Sequence, residues 1–416
     1  MCPSVIDADE FITTMCDQRP IYTPTLITHQ LPPLPEGYVW QPASPKFNFS
    51  VVTESRGFAR FSQFAQDHAL VDDVCIYGEG LGDDGRGEDG HEFTEDDFLY
   101  VIQKSKLWLT LRAQASGTGS SMGKYLNSPS GFPPAEQVAE AWRDKKSHAP
   151  FTITTTMAGH MRWGNGYEDP ALIHFAVDNY VRVVQVGTVV LHYSFIKELV
   201  PHMCREGLDG YILVSPDGVV YPAGSKGLDG AIGMLEIKCM SPFHHVAEAD
   251  GRLTWVDNME RRQWYKAEEI PFVYVIQISL QALAGIARLN DNGKGLTVDS
   301  TMWFIRWSPA GFSEFSICFG DLIALGAIAT TLYLSLLKRI HIEDVSGDGP
   351  DANYENARLN YNAEELALAR ILQTEYKRVI ATMTHRYVDL AGLYPEFFAY
   401  RDLTALHRFV VPTDNR

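Results

Sequence analysis

Ile232-Gly233-Met234-Leu235-Glu236-Ile237-Lys238-Cys239 is apolar except at two positions, and those two decide how the chain reads. On an extended strand, side chains two apart share a face. Glu236 and Lys238 therefore point one way, while Leu235 and Ile237 point into a core. A buried strand carries opposite charges at a cost unless something pairs with them. An internal Glu-Lys ion pair is the bland explanation. The sharper one adds Asp217, in Ser215-Pro216-Asp217-Gly218 a little upstream. Two carboxylates give a hard divalent cation the oxygen ligands it takes and leave room for water and a phosphate. Lys238 beside them completes a set suited to phosphodiester hydrolysis.

The 416 residues suffice for one large domain with additions or for two. With 45% hydrophobic residues the chain can bury a large core, and its net charge of -17 argues against indiscriminate coating of nucleic acid. Much acid lies in 78–97, a Gly/Asp/Glu-rich stretch whose one Lys or Arg is Arg86, read as a solvated loop. Six scattered cysteines show no CxxC, so neither a zinc site nor a disulfide framework is supported, and reduced intracellular thiols are expected. The N-terminus lacks a signal-peptide pattern. The apolar run 317–337 is interrupted by Asp321 and reads as a core helix of a soluble domain rather than a membrane span.

The expected order is an N-terminal arm and acidic loop (1–100), a core (101–345) and a C-terminal helical extension (346–416). Within the core, Phe98–Leu111 and 134–147 read as helices and 168–180 as an amphipathic helix. Residues 181–193 read as strand, and 211–221 as a hairpin turning at Ser-Pro-Asp-Gly. A helix is expected over 272–287, strands over 302–307 and 312–319, and helices over 320–341 and 362–392. The fold class that follows is α/β, a central mixed β-sheet flanked by helices.

Several motifs, in register, resemble the PD-(D/E)xK nucleases. Within these the chain resembles the lambda-exonuclease or YqaJ-type viral recombinases and the related herpesvirus-type alkaline nucleases. Trp108-Leu109-Thr110-Leu111-Arg112, before a Ser/Thr/Gly loop, resembles the motif that holds a DNA 5′-phosphate. Trp163-Gly164, Glu168 and Ala171 resemble the family's G-x-x-x-E-x-x-A helix. Ser215–Gly218 and Leu235–Cys239 resemble its two metal strands, and Pro271, Tyr274 and Gln277 the helix that follows. The similarity covers about 105–320.

The resemblance implies a restriction-endonuclease-like core and a 5′→3′ exonuclease of recombination, repair or viral genome processing. The other readings are an endonuclease also acting on RNA, and a silent nucleic-acid-binding fold. It implies Mg²⁺, with Mn²⁺ as substitute, held by Asp217, Glu236, the Ile237 carbonyl and Glu168. Lys238 then orients or deprotonates the attacking water, and Gln277 bonds the scissile phosphate or orients Lys238. Asp209 and Asp229, each in Gly-Leu-Asp-Gly, are alternative metal aspartates. Arg112, Ser116 and Ser120 are the candidates for the 5′-phosphate, with Thr118 and Ser121 as alternatives to the serines. The family's second glutamine, two residues after the first, is replaced by Ser279, with Gln281 following. Asp217 as a plain turn former, Glu168 as a helix-terminus charge and Gln277 facing solvent are the structural alternatives. The implied partners are linear duplex DNA ends and a single-strand-annealing or DNA-binding protein, with no membrane. The assembly stays open between rings and smaller units. Arg261, Arg262 and Lys266 around Trp264 and Tyr265 suggest a DNA contact with a stacking platform. His244-His245 is read as incidental.

Overall fold

A computed structural model describes residues 112, 115–126, 164, 168, 171–184, 188–223, 225, 230–240, 243–247, 253–257, 264–288, 295–308, 311–346 and 362–390, with short strands at 38–39, 52–53 and 71–72. The expected acidic loop and the helices at Phe98–Leu111 and 134–147 lie outside these residues.

In chain order the strands are β1 (Tyr38–Val39), β2 (Val52–Thr53), β3 (Val71–Asp72), β4 (Gly117–Thr118), β5 (Val181–Val184), β6 (Val189–His192), β7 (Tyr211–Val214) and β8 (Gly218–Pro222). They continue with β9 (Gly233–Cys239), β10 (Phe243–Ala247), β11 (Leu253–Asp257), β12 (Thr301–Ser308), β13 (Gly311–Cys318) and β14 (Thr384–Asp389). The helices are α1 (Gly119–Met122), α2 (171–179), α3 (Tyr193–Leu199), α4 (Phe272–Arg288), α5 (Phe319–Ser346) and α6 (Ala363–Thr382).

The main sheet has seven strands in the order β14-β13-β12-β9-β8-β5-β3. It is mixed: β12 runs parallel to β9 and β3 parallel to β5, and the other pairs are antiparallel. A smaller sheet, β4-β7-β6, lies beside α4. The architecture is α/β, as the sequence indicates.

Strand alternation sorts the core into two layers. Leu235 and Ile237 of β9 join Ile305 and Trp307 of β12 and Leu172, Phe175 and Ala176 of α2. Met234 of β9 joins Phe304 of β12 with α4, α5 and α6. Glu236 and Lys238 thus project on the α4 side, the second face of the same strand. Trp307 ties the α2 layer down by donating to His174 Nδ1 at 2.9 Å. Burial holds the His174 imidazole neutral, with its pKa near 3.

Three expectations change. The 211–221 segment is not a hairpin: β7 pairs with β6 and β4, whereas β8 pairs with β5 and β9. Ser215-Pro216-Asp217 is therefore a corner between two sheets, and the hairpin is β8–β9. Gly218 is needed there for space, since a Cβ would sit 2.5 Å from Val183 Cγ1. Second, 181–193 divides into β5 and β6, one in each sheet, and Tyr193 opens α3. Third, the C-terminal segment is not wholly helical. After α6 comes β14, whose side chains are mostly exposed but whose backbone extends the main sheet beside β13. Arg386 of β14 bonds Glu314 of β13, which Asn179 of α2 also bonds, so this end of the chain is built into the sheet.

Helix α5 contains a stretch, Phe319–Arg339, long and apolar enough to cross a membrane, but 72% of it is buried inside the protein. It packs on α4 and α6. The capping box of α6 joins Asn362 to Glu365, and Arg339 of α5 then forks onto the Glu365 carboxylate.

Candidate active site

The antiparallel register of β8 on β9 sets the site. Gly218 pairs with Leu235, so Asp217 falls opposite Glu236. The Asp217 N–H donates to the Leu235 carbonyl at 3.0 Å, and the Asp217 carboxylate accepts from the Ile237 N–H at 2.5 Å. The aspartate side chain thereby continues the ladder where the backbone turns away.

Glu236 is 1% exposed. Lys238 and Gln277 both donate to its Oε1, the latter at 2.6 Å, and Gln281 donates to Oε2. A buried carboxylate needs such donors, because one left without them is strongly destabilising. Lys238 lies over the Tyr274 ring, 5.6 Å from its centre. Its side chain is 27% exposed, so the amine closes the site from the solvent side. Burial opposes the Lys238 ammonium, but Glu236 and Asp217 outweigh it and hold its pKa above the ordinary lysine value.

Asp217 is less well provided. Burial first, then the charges of Glu236 and Glu168, push its pKa well above the usual carboxylate range, against the pull of Lys238 and the Ile237 N–H. Glu168 thus stands near enough to repel it. Gly164 also comes close to this strand: a Cβ on it would lie 3.6 Å from the Cys239 carbonyl, at the end of β9. Glu236 and Asp217 thus act on Lys238, and Glu168 acts on Asp217.

Gln277 also lines a small cavity of about 40 Å³ with Arg112, Thr118, Gly119, Ser120 and Ser215. The Thr118–Tyr125 segment presses closely on α4 at Gly123, where a Cβ would lie 2.8 Å from Val273 Cα. Arg112 and Ser120 thus meet in one cavity, one glutamine away from Glu236. Ser116 does not reach it: a Cβ on Gly210 would touch its hydroxyl, and its carbonyl accepts from Tyr333. Ser121 bonds back to Thr118. Asp209 is exposed ahead of β7, accepts from the Gly210 N–H and lies at the far end of that strand from Ser215. Asp229 and the Arg261-Arg262 pair fall outside the described residues. Tyr265 is buried and stacked on Tyr387, a core residue rather than a platform. His244 and His245 lie on β10, paired with β11.

The sequence names Gln281 without a role, and the structure supplies one. A helix returns to the same face at i+4 and not at i+2. Gln281 therefore follows Gln277 onto Glu236, and it also reaches the Ser215 carbonyl at 3.3 Å. Ser279 turns inward and bonds the Val275 carbonyl. The signal was the i, i+4 pair of glutamines in an otherwise apolar helix.

Residues 107–285 match the model of the YqaJ-like viral recombinase domain. Residues 107–285 are a YqaJ-like domain. The domain belongs to the lambda exonuclease-like branch of the PD-(D/E)xK nuclease superfamily. It is a nuclease-type domain linked to recombination, and nuclease domains of this family act on DNA. No curated relative matches the chain. The YqaJ-like segment ends inside α4, so β12, β13, α5, α6 and β14 lie beyond it in sequence although the three strands continue its sheet.

Among the described residues, no three Asp, Glu, His or Cys side chains close on one point tightly enough to make a metal cluster. Both Glu236 oxygens are engaged by Lys238 and the two glutamines. The donor set still fits a hard cation of the magnesium kind, which uses one or two carboxylates plus water and phosphate rather than a full protein cage. The excess negative charge at Asp217 is what such a cation would offset.

Proposed function

We propose that this protein is a divalent-cation-dependent DNA nuclease, and within that class an exonuclease that starts from 5′ ends of linear duplex DNA. The observation that carries the reading is the convergence of Asp217, Glu236 and Lys238 beneath the glutamines of α4. Asp217 and Glu236, with the Ile237 carbonyl, would hold Mg²⁺ or Mn²⁺, and Glu168 would hold its waters or a second ion. When bound, the cation neutralises phosphate charge and makes water more acidic.

The chain's own residues do the rest. Lys238, kept charged by its carboxylates, donates to the phosphate or to the water that attacks it, and gives up its proton only once the carboxylates are otherwise engaged. Gln277 and Gln281 hold the Glu236 carboxylate correctly turned. Arg112, with Thr118 and Ser120, receives a terminal phosphate in the adjoining cavity. That cavity is the support for end recognition, and Gln277 is shared between it and the site of cleavage. A role in recombination, with a strand-annealing partner, belongs to the same reading.

The test is degradation of linear duplex DNA, labelled at either end, against covalently closed circles, with Mg²⁺ or EDTA. Loss of linear DNA alone, dependent on metal and abolished by Lys238→Ala, is expected, with 5′ label released first. Cutting of closed circles would replace the exonuclease reading by an endonuclease. No cleavage of DNA or RNA by folded protein would make the fold a binding module.

A further inference from the structure

Arg306 is a fully buried cation that the chemistry above does not use. It sits on β12 in register with Lys238 on the parallel neighbour β9, so both project on the α4 side of the sheet. It is 1% exposed. Its guanidinium lies 5.1 Å over the Trp264 ring and 5.5 Å from the Phe315 ring. Nη1 donates to the Ala267 carbonyl at 3.2 Å and Nη2 to the Glu269 carbonyl, while Nε has no partner. Burial draws its pKa down to about 10, against the pull of Tyr274 and Glu269, so it is a cation at neutral pH.

Burying a guanidinium against carbonyls and rings is costly, and an apolar side chain of similar volume often serves stability as well or better. What an apolar residue cannot do is grip two carbonyls at once. Those carbonyls belong to the lead-in of α4, which begins at Phe272. Tyr274 lies in the first turn of α4 and meets Lys238, and Gln277 and Gln281 in the next turns hold Glu236. Tyr265 and Ile270 anchor the ends of the segment, the former also through Ser313 of β13, but Lys266, Ala267, Glu268 and Glu269 between them are exposed and are held by Arg306.

We propose that Arg306 is a positioning residue of the hydrolytic site: by clamping the 264–270 segment to β12 it fixes where α4 starts, and thereby how Tyr274 and the two glutamines meet Lys238 and Glu236. This rests on the nuclease reading of the same site. Planarity and the fork of donors matter here, so lysine is an incomplete replacement.

The experiment compares Arg306→Met and Arg306→Lys with wild type, each checked for folding by circular dichroism and thermal melting. Cleavage of linear DNA per folded molecule should fall about 10–100-fold in kcat for the methionine variant, with KM for DNA little changed and the lysine variant intermediate. In a double-mutant cycle with Gln277→Ala the two losses should be less than multiplicative, because both act through the placement of α4. Amide hydrogen exchange at 272–277 should quicken in the methionine variant while β12 stays protected. If wild type fails to cleave, the nuclease reading falls and with it the hydrolytic role of Arg306, and the exchange readout then tests the clamp on α4 separately. Wild-type kcat in the methionine variant, strict multiplicativity, unchanged exchange at 272–277, or failure of both variants to fold would each overturn the proposal and leave Arg306 with a purely architectural role.

Discussion

Glu236 and Asp217 stand across one antiparallel pair, yet their surroundings differ in kind. Glu236 is enclosed and fully supplied, with one ammonium and two amide donors on its two oxygens. Asp217 sits at a corner between sheets, with one backbone donor and two carboxylates for company. The first region is complete as a piece of protein. The second carries a charge that the folded chain leaves short of compensation. The difference teaches where a cation is wanted: on the Asp217 and Glu168 side, with Glu236 held ready by α4. It also separates orientation from ligation, two tasks that a lone Glu-x-Lys reading merges.

The comparison breaks most visibly at its centre. Lys238→Ala removes the ammonium that closes the site, and cleavage of linear DNA should fall about 10²–10⁴-fold in a folded protein, measured as initial rates at saturating Mg²⁺. A residual rate near wild type would mean that Lys238 is only a structural partner of Glu236.

Removing one of the amides is a smaller blow. Gln281→Ala strips one donor from a buried carboxylate, which costs about 1–3 kcal/mol of stability, and activity should drop about 10–100-fold. Denaturant melts and cleavage rates on the same preparation check both. The mutation also frees the Ser215 carbonyl, so a change in the corner that carries Asp217 should accompany it.

Asp217→Asn sharpens the contrast by moving stability and activity in opposite directions. Because the folded-state pKa of Asp217 is raised, its contribution is present at low pH and is lost as pH rises through that pKa. The metal-free variant should therefore melt about 2–4 °C above metal-free wild type at neutral pH. The gap should close toward about pH 4, where both forms carry a neutral side chain. Cleavage should be abolished. A variant that melts lower than wild type at neutral pH would remove the argument for a charge deficit at this corner.

The smallest expected effect concerns the neighbouring cavity. Ser120→Ala should lower cleavage several-fold on 5′-phosphorylated ends and little on 5′-hydroxyl ends, whereas Ser116→Ala should not distinguish them. Competition between the two labelled ends measures the preference. Equal behaviour of the two variants would detach the cavity from end recognition.

Much of this arrangement was legible in the sequence because it follows strand periodicity. Two charges two residues apart in an apolar run can share only one face, and Glu236 and Lys238 do. Helix α4 and strands β12 and β13 were equally readable, being long and bounded by Pro271 and by Ser308–Gly311. Three features were not. Ser-Pro-Asp-Gly has the local chemistry of a hairpin turn, but pairing is decided by distant strands, and β7 and β8 pair with different sheets. Gln281 carries no role in the sequence because the family pattern points two beyond Gln277, a position that a helix turns away from its neighbour. Thr384–Asp389 carries β-branched and aromatic residues directly after a strong helix, and the helical pattern was extended across it. At the Ser-Pro-Asp-Gly corner and at β14 the local preferences did not decide, and tertiary pairing chose the outcome.

The most direct test of the central claim is a calorimetric titration of Mn²⁺ into wild type, Asp217→Asn and Glu236→Gln at several pH values, with no DNA present. Wild type should bind, should release protons on binding, and should bind more tightly as pH rises and Asp217 loses its proton. Asp217→Asn should lose the binding and its pH dependence together. Cation binding of equal strength in the asparagine variant, or affinity that does not change with pH, would contradict the account.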